Sequence, residues 1–250
     1  KNRMFRLIWP VHEPIELNVM KPYVVIGVFL SLVLGQISRA QTQSAINGFD
    51  ADGARHGLWK KYYPGTDQLR YEGRFQHGKE IGEFKYYCEK CGTQAAVIRN
   101  FDAEPGACLI AYYTPKGQLV AQGRLIDQMR EGLWLTYHQG GDVVMMEEHY
   151  LADLLNGVKK TYYPNGQLAE TCTYKMGELN GACSYFALGG ELIKFLTYEN
   201  DELHGRAEFY DLNGQLERSG SYFRGKKSGV WKTFASGVLI EEKDVDKEGN

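Results

Sequence analysis

Eight glycines keep a period of 24–26 residues along most of this chain: Gly57, Gly82, Gly106, Gly132, Gly157, Gly181, Gly205 and Gly229. That period constrains the fold more than any composition figure. A unit this short cannot bury an apolar face alone and must stack on its neighbours. Each glycine opens a strand-like run, such as GLWKKYY (57–63), GVKKTYY (157–163) and GVWKTFA (229–235). Five residues after the glycine stand Tyr62, Tyr87, Ala111, Tyr137, Tyr162, Phe186, Tyr210 and Phe234, seven of eight aromatic. The third unit moves its aromatic to Tyr112.

A turn follows each run, clearest at Pro64-Gly65, Lys116-Gly117, Asn165-Gly166 and Asn213-Gly214. Asn-Gly between two strand-like runs predicts a type I′ turn, with φ > 0 at both central residues. A second strand then begins at Leu69, Leu119, Val143, Leu168, Leu192, Leu216 or Leu239. Six residues later come Phe75, Leu125, Tyr174, Tyr198 or Tyr222, an even offset that puts both positions on one face. A polar turn closes the unit, as in His77-Gly78-Lys79 and Met176-Gly177-Glu178. No window holds apolar residues at helical spacing for long enough to form a helix. The expected fold is all-β: an elongated antiparallel sheet of about eight successive hairpins and sixteen strands. The 17 Tyr, 11 Phe and 29 Gly against 7 Pro fit strands joined by tight turns.

The array accounts for residues 57–241. Residues 41–56 read as a linker and cap, and 242–250 as a polar tail. Met20 to Ala40 reads as a secretory signal peptide: Lys21, an apolar core YVVIGVFLSLVL (23–34), and Ser38 and Ala40 at the −3 and −1 positions of a cut. About 12 apolar residues is short of the ~20 of a spanning helix. The chain begins at Lys1 rather than Met, and residues 1–19 read as an upstream extension from a mis-set start. The expected location is therefore outside the cytosol, periplasmic or secreted. Removing 1–40 takes Lys1, Arg3, Arg6, Lys21, Arg39, Glu13 and Glu16 from totals of 29 basic and 31 acidic residues. That leaves 24 and 29, a net charge of −5, which does not favour nucleic acid as a partner.

The pattern G-x-W-x-x-Y-Y-x-N-G-Q-L, followed by an aromatic and G-K-x-x-G, resembles MORN-type repeats in the bacterial variant of the antitoxin family called YwqK. It is best kept at 157–181 and 205–229, and covers about 57–241. The resemblance implies an elongated sheet of successive hairpins and an antitoxin or immunity-like role; some eukaryotic MORN proteins also bind lipid. The second unit departs from the pattern, with Cys88-Glu89-Lys90-Cys91-Gly92 in place of the usual turn.

Candidate chemistry is sparse. Cys88 and Cys91 have the spacing of a redox or zinc pair but lack a βαβ setting or a second ligand pair, so they read as a turn thiol pair. Cys172 and Cys183 lie symmetrically about the turn at Gly177-Glu178, which places them opposite each other and within disulfide reach. Asp50-Ala51-Asp52-Gly53 has the start of a calcium loop without its later ligands and reads as a turn or cap. His56 and His204 share the slot before the repeat glycine, as repetition alone would give. Lys60, Lys85, Lys160 and Lys232 share another, three after it, and read either as a strip for anionic lipid or as a solvated face. No catalytic residue, metal ligand or cofactor site is assigned. The expectation is an exported, non-enzymatic interaction or scaffold module at the cell envelope with a protein partner. The alternatives are an antitoxin and a membrane-surface scaffold.

Overall fold

The computed structural model describes residues 46–101, 104–139 and 141–247. The leader and upstream extension expected over 1–40 lie outside these residues. Among the described residues, eighteen strands form one antiparallel sheet. They begin with β1 (Gly48–Phe49), β2 (Arg55–Tyr62), β3 (Leu69–Gln76), β4 (Lys79–Tyr87), β5 (Ala95–Phe101) and β6 (Ala107–Tyr113). Next come β7 (Leu119–Ile126), β8 (Met129–Tyr137), β9 (Val144–Leu151), β10 (Leu154–Leu155), β11 (Gly157–Tyr162) and β12 (Leu168–Lys175). The sheet ends with β13 (Glu178–Phe186), β14 (Leu192–Glu199), β15 (Glu202–Tyr210), β16 (Leu216–Phe223), β17 (Lys226–Ala235) and β18 (Val238–Asp244). Strands pair in chain order, and β10 and β11 are two pieces of one strand, both against β9. Short connections allow no other topology as simply. β18 continues through Asp244, three residues into the segment read as a polar tail.

The two turn classes are the reverse of the Asn-Gly expectation. Asn165 and Asn213 do not take positive φ; only Gly166 (83°) and Gly214 (76°) do. The Gly166 N–H bonds the Tyr163 carbonyl at 2.8 Å, and the Tyr163 N–H bonds the Gln167 carbonyl at 2.8 Å. This is a type I turn closed by a left-handed glycine, the loop that Pro164 at its second position favours. The register slips one residue beside it, between Thr161 and Tyr162. The two-residue turns with both φ positive lie instead at the polar junctions. Met176 (51°) with Gly177 (94°), and Asn200 (49°) with Asp201 (66°), are two of them.

The repeat glycines do not simply open strands. At five junctions they sit inside a bulge where three residues face one, as 180–182 face Thr173 between the pairs Cys172–Cys183 and Tyr174–Leu179. All eight have positive φ, from 62° at Gly82 to 122° at Gly181, which explains why glycine recurs there. The third unit differs. Its β5–β6 ladder has no bulge, and Cys108, not Gly106, faces Leu125 as Gly57 faces Phe75. Gly106 belongs to the preceding turn. The aromatic that corresponds to Tyr62 opposite Leu69 is consequently Tyr113, opposite Leu119, while Tyr112 pairs with Ala121.

The core lies on one face of the sheet. Two residues after a repeat glycine, the side chain points to that face at Trp59, Phe84, Trp134, Cys183, Ala207 and Trp231, all but Trp59 buried. Size is matched between neighbouring strands. Phe84, Trp134 and Trp231 lie against Gly73, Gly123 and Gly220, whereas the small Cys183 and Ala207 lie opposite Cys172 and Leu196. Edge-to-face contacts run from Phe49 to Trp59, Phe75, Phe84 and Phe101 at centroid distances of 5.1–5.8 Å. Cations cover this face from outside: Arg55 over Phe75 (3.9 Å), Arg130 over Tyr150 (3.8 Å) and Lys227 over Trp231 (4.3 Å). Each is two residues before a repeat glycine, so in these three units aliphatic stems and charged tips cover the aromatic rings.

Candidate interaction surface

The opposite face carries the residues three after the repeat glycine, and the ladders place them in one row. From Lys60 it runs through Glu72, Lys85, Ile98, Ala111, Gln122, Leu135, Glu147 and Lys160. It continues through Thr171, Ser184, Phe195, Glu208, Ser219, Lys232 and Glu242. Opposite charges directly across strands attract, and each of three lysines meets a carboxylate across the ladder. Lys60 meets Glu72 at 3.0 Å, Lys160 meets Glu147 at 3.1 Å, and Lys232 meets Glu242 at 3.5 Å. Lys85 turns to Glu83 at 2.9 Å. All four lysines of the proposed basic strip therefore have a carboxylate beside them.

The +5 aromatics share this face and add to the pairing. The Tyr87 hydroxyl donates to Glu72 at 2.7 Å. That bond, with the Lys60 ammonium, holds the Glu72 carboxyl below the usual carboxylate range against the opposing effect of burial. Burial, then Glu72 itself, pushes the Tyr87 phenol up. Glu83 raises Lys85, and Glu147 raises Lys160. Tyr62 is largely exposed; Tyr87, Tyr137, Tyr162, Phe186, Tyr210 and Phe234 are half-buried.

The row loses its charge twice, over Thr171, Ser184 and Phe195 and, with more apolar side chains, from the second to the fourth unit. There Ile98, Ala111 and Leu135 replace charge, and Leu109 and Leu133 lie beside them, 56% and 46% exposed. Leu109, Ala111, Leu133 and Leu135 line a trough of about 450 Å³, bordered by Gln122, Arg124 and Glu131. Leu109 and Leu135 stand in the lysine slot, three after a repeat glycine, and Leu133 does not. Register is what gathers them.

Unit-to-unit ties also escaped the sequence reading. The Tyr63 hydroxyl donates to the Tyr87 carbonyl at 2.8 Å, and the Tyr163 hydroxyl to the Phe186 carbonyl at 2.8 Å. The His138 ring bonds the Tyr162 carbonyl at 2.9 Å. Each spans 23 or 24 residues, so the residue opening one hairpin turn grips the same place in the next unit. The recurring spacing was their only signal.

The structure bonds both cysteine pairs. Cys172 and Cys183 are register partners with Cα atoms 4.1 Å apart, and Cys88 and Cys91 close the irregular second turn with Cα atoms 5.4 Å apart. The buried Cys172–Cys183 bridge falls between two apolar clusters, one around Ile110, Leu125, Trp134 and Tyr150, the other around Leu196, Ala207 and Trp231. Asp50 caps its own turn: its Oδ1 accepts from the Asp52 and Ala54 N–H groups at 3.1 and 2.8 Å.

Two segments, 155–176 and 203–223, match the family described as MORN repeat variant. No curated protein matches the chain. Among solved structures it is similar to S. aureus TarM in complex with Fondaparinux, alpha-GlcNAc-glycerol and UDP. That likeness has 8% identity and a TM-score of 0.25, over 53% of this chain and 21% of that one. A second TarM structure gives 8% identity and a TM-score of 0.24, over 53% and 20%. The chain thus spans about a fifth of TarM, a likeness too slight to bear on function. The matched segments are its fifth and seventh hairpins, and there the chain carries repeats of the MORN type.

Proposed function

We propose that this chain is an exported, non-enzymatic interaction module of the cell envelope that binds a protein partner through the trough centred on Leu133 and Leu135. The observation that carries this reading is the uncharged stretch of the row from Ile98 to Leu135, where exposed leucines gather beside it on one face. Contiguous exposed apolar surface with a polar rim is characteristic of protein recognition. A partner offering two or three apolar side chains inside a polar rim fits it. The lysines answered by carboxylates favour this over a lipid surface, which would draw on unneutralised cations. Residue positions that recur from unit to unit serve the architecture, and this is the support for a role without catalysis.

The test is affinity capture from envelope extracts with residues 41–250, alongside a Leu109→Glu/Leu133→Glu double variant. A protein retained by the parent and lost with the variant supports the reading. An identical set from both, or binding only to anionic vesicles that fades with salt, overturns it. A captured toxin that the chain neutralises would place the module among antitoxins, as the YwqK-like pattern suggests. Export is checked separately, by a mature N-terminus at Gln41.

A further inference from the structure

At the start of the array, Asp50, His56 and His77 come together from three separate backbone segments. Asp50 lies in the β1–β2 turn, His56 on β2 paired with Gly48, and His77 in the β3–β4 turn. Their ligand atoms all lie within 4.8 Å of one another. Asp50 Oδ2 and His77 Nδ1 are 2.9 Å apart, and the two imidazole centroids 5.5 Å apart. We propose that these three side chains form a binding site for a borderline divalent transition metal of the zinc class.

Geometry and chemistry both support it. Ligand atoms about 2.0–2.2 Å from a zinc ion and 90–109° apart sit roughly 3.0–3.4 Å from each other. The Asp50–His77 separation is already close to that, so a metal takes the place of the shared proton with a small adjustment. His56 is exposed and free to swing its ring the remaining ångström or two. The scaffold is fixed. Asp50 Oδ1 is committed to two backbone N–H groups, which aims Oδ2 outward, and the Gly78 N–H bonds the Arg55 carbonyl at 2.9 Å, tying the His77 turn to β2. Two imidazoles with one carboxylate suit zinc and its neighbours, not calcium or magnesium, which take oxygen ligands. Water completes the shell on the open side. The repeat does not account for this grouping. His204 occupies the His56 slot of the seventh unit but meets Glu199 at 3.4 Å and the Phe223 ring, with no second histidine. Among the described residues, only the first unit has the capping turn that brings a carboxylate to a histidine pair.

The test uses the full chain, with Co²⁺ as the spectroscopic probe and Zn²⁺ as competitor. One Co²⁺ per chain should bind with a d–d absorption band and be displaced by Zn²⁺. His56→Gln, His77→Asn and Asp50→Asn should each weaken Zn²⁺ binding by about tenfold or more, and His204→Gln should leave it unchanged. Asparagine tolerates the positive φ of residue 77 (47°), and at 50 it keeps the turn-capping oxygen, so these variants retain the fold. Zn²⁺ should also raise the thermal midpoint of the parent and not of the variants. Absence of uptake, equal loss in His204→Gln, or Ca²⁺ binding as tight as Zn²⁺ would each overturn the proposal.

Discussion

The indole of Trp134 occupies the space in which a Cβ on Gly123 would lie. Gly73 stands in the same relation to Phe84, and Gly220 to Trp231. None of these three glycines has positive φ, so what keeps them small is the ring and not the backbone. A Gly123→Ala substitution should therefore cost about 1–3 kcal/mol through overpacking. The cost should shrink in a Trp134→Leu background, where the ring is gone, and a double-mutant cycle by urea unfolding measures that coupling. Gly214→Ala offers the contrast. Its Cβ would meet open space, and only the φ of 76° resists, at a cost of about 1 kcal/mol that no neighbouring substitution relieves.

This pairing also shows where the sequence was readable and where it was not. The period, the strand order and the faces followed from glycine spacing and from alternation, because both are properties of a short window. Gly73, Gly123 and Gly220 carry no local signal because they lie in second strands, and their reason sits one strand away. The same holds for the trough. Leu109, Leu133 and Leu135 become a surface only through register, which bulges at Gly132 and its equivalents shift by residues that no local pattern announces. The Asn-Gly turns misled for the opposite reason. A strong dipeptide signal was outweighed by the loop length, which places the left-handed residue after a type I turn. The Asp50–His77 contact joins segments 27 residues apart, beyond any motif.

Glu72 gives the array a defined acid sensitivity. Its carboxyl is held below its ordinary value of 4.5 by the Tyr87 hydroxyl and by Lys60. A folded-state value below the unfolded one contributes stability that is complete above the unfolded value and is lost as pH falls through the folded one. The stability gap between the parent and Glu72→Gln should thus stay constant from about pH 7 to about pH 5.5 and narrow below about pH 4.5. Denaturant unfolding of both proteins across that range checks it. Tyr87→Phe should reproduce part of the narrowing, since the phenol is the largest single cause. A gap that widened in acid would contradict the assignment.

The Tyr163 hydroxyl bond to Phe186 tests whether units are tied individually. Replacing Tyr163 by Phe keeps the ring and removes one hydrogen bond, leaving a carbonyl to find water. The expected loss is about 0.5–1.5 kcal/mol. In a stacked array each unit leans chiefly on its neighbours, so the effect should be local. Hydrogen exchange should accelerate around 161–163 and 185–187 and stay unchanged near Trp59 and Phe75. Uniform acceleration would mean that the array opens as one body.

The Cys172–Cys183 bridge joins residues separated by 11 positions and sits in the gap between the two apolar clusters. Closing a loop of that size removes freedom from the unfolded chain and stabilises by about 2–3 kcal/mol. The native pairing does not depend on the bond, because the hairpin turn at Met176-Gly177 and the bulge at Gly181 already set the register. In a Cys88→Ser/Cys91→Ser background, reductant should therefore lower stability by about that amount without altering the far-ultraviolet spectrum. Adding Cys172→Ala/Cys183→Ala should give a protein of similarly reduced stability that no longer responds to reductant. A background protein equally stable with and without reductant would show that the two sulfurs are not joined in solution. A collapse of the β-signal on reduction would show instead that the bond, and not the turn and bulge, sets the register of β12 against β13.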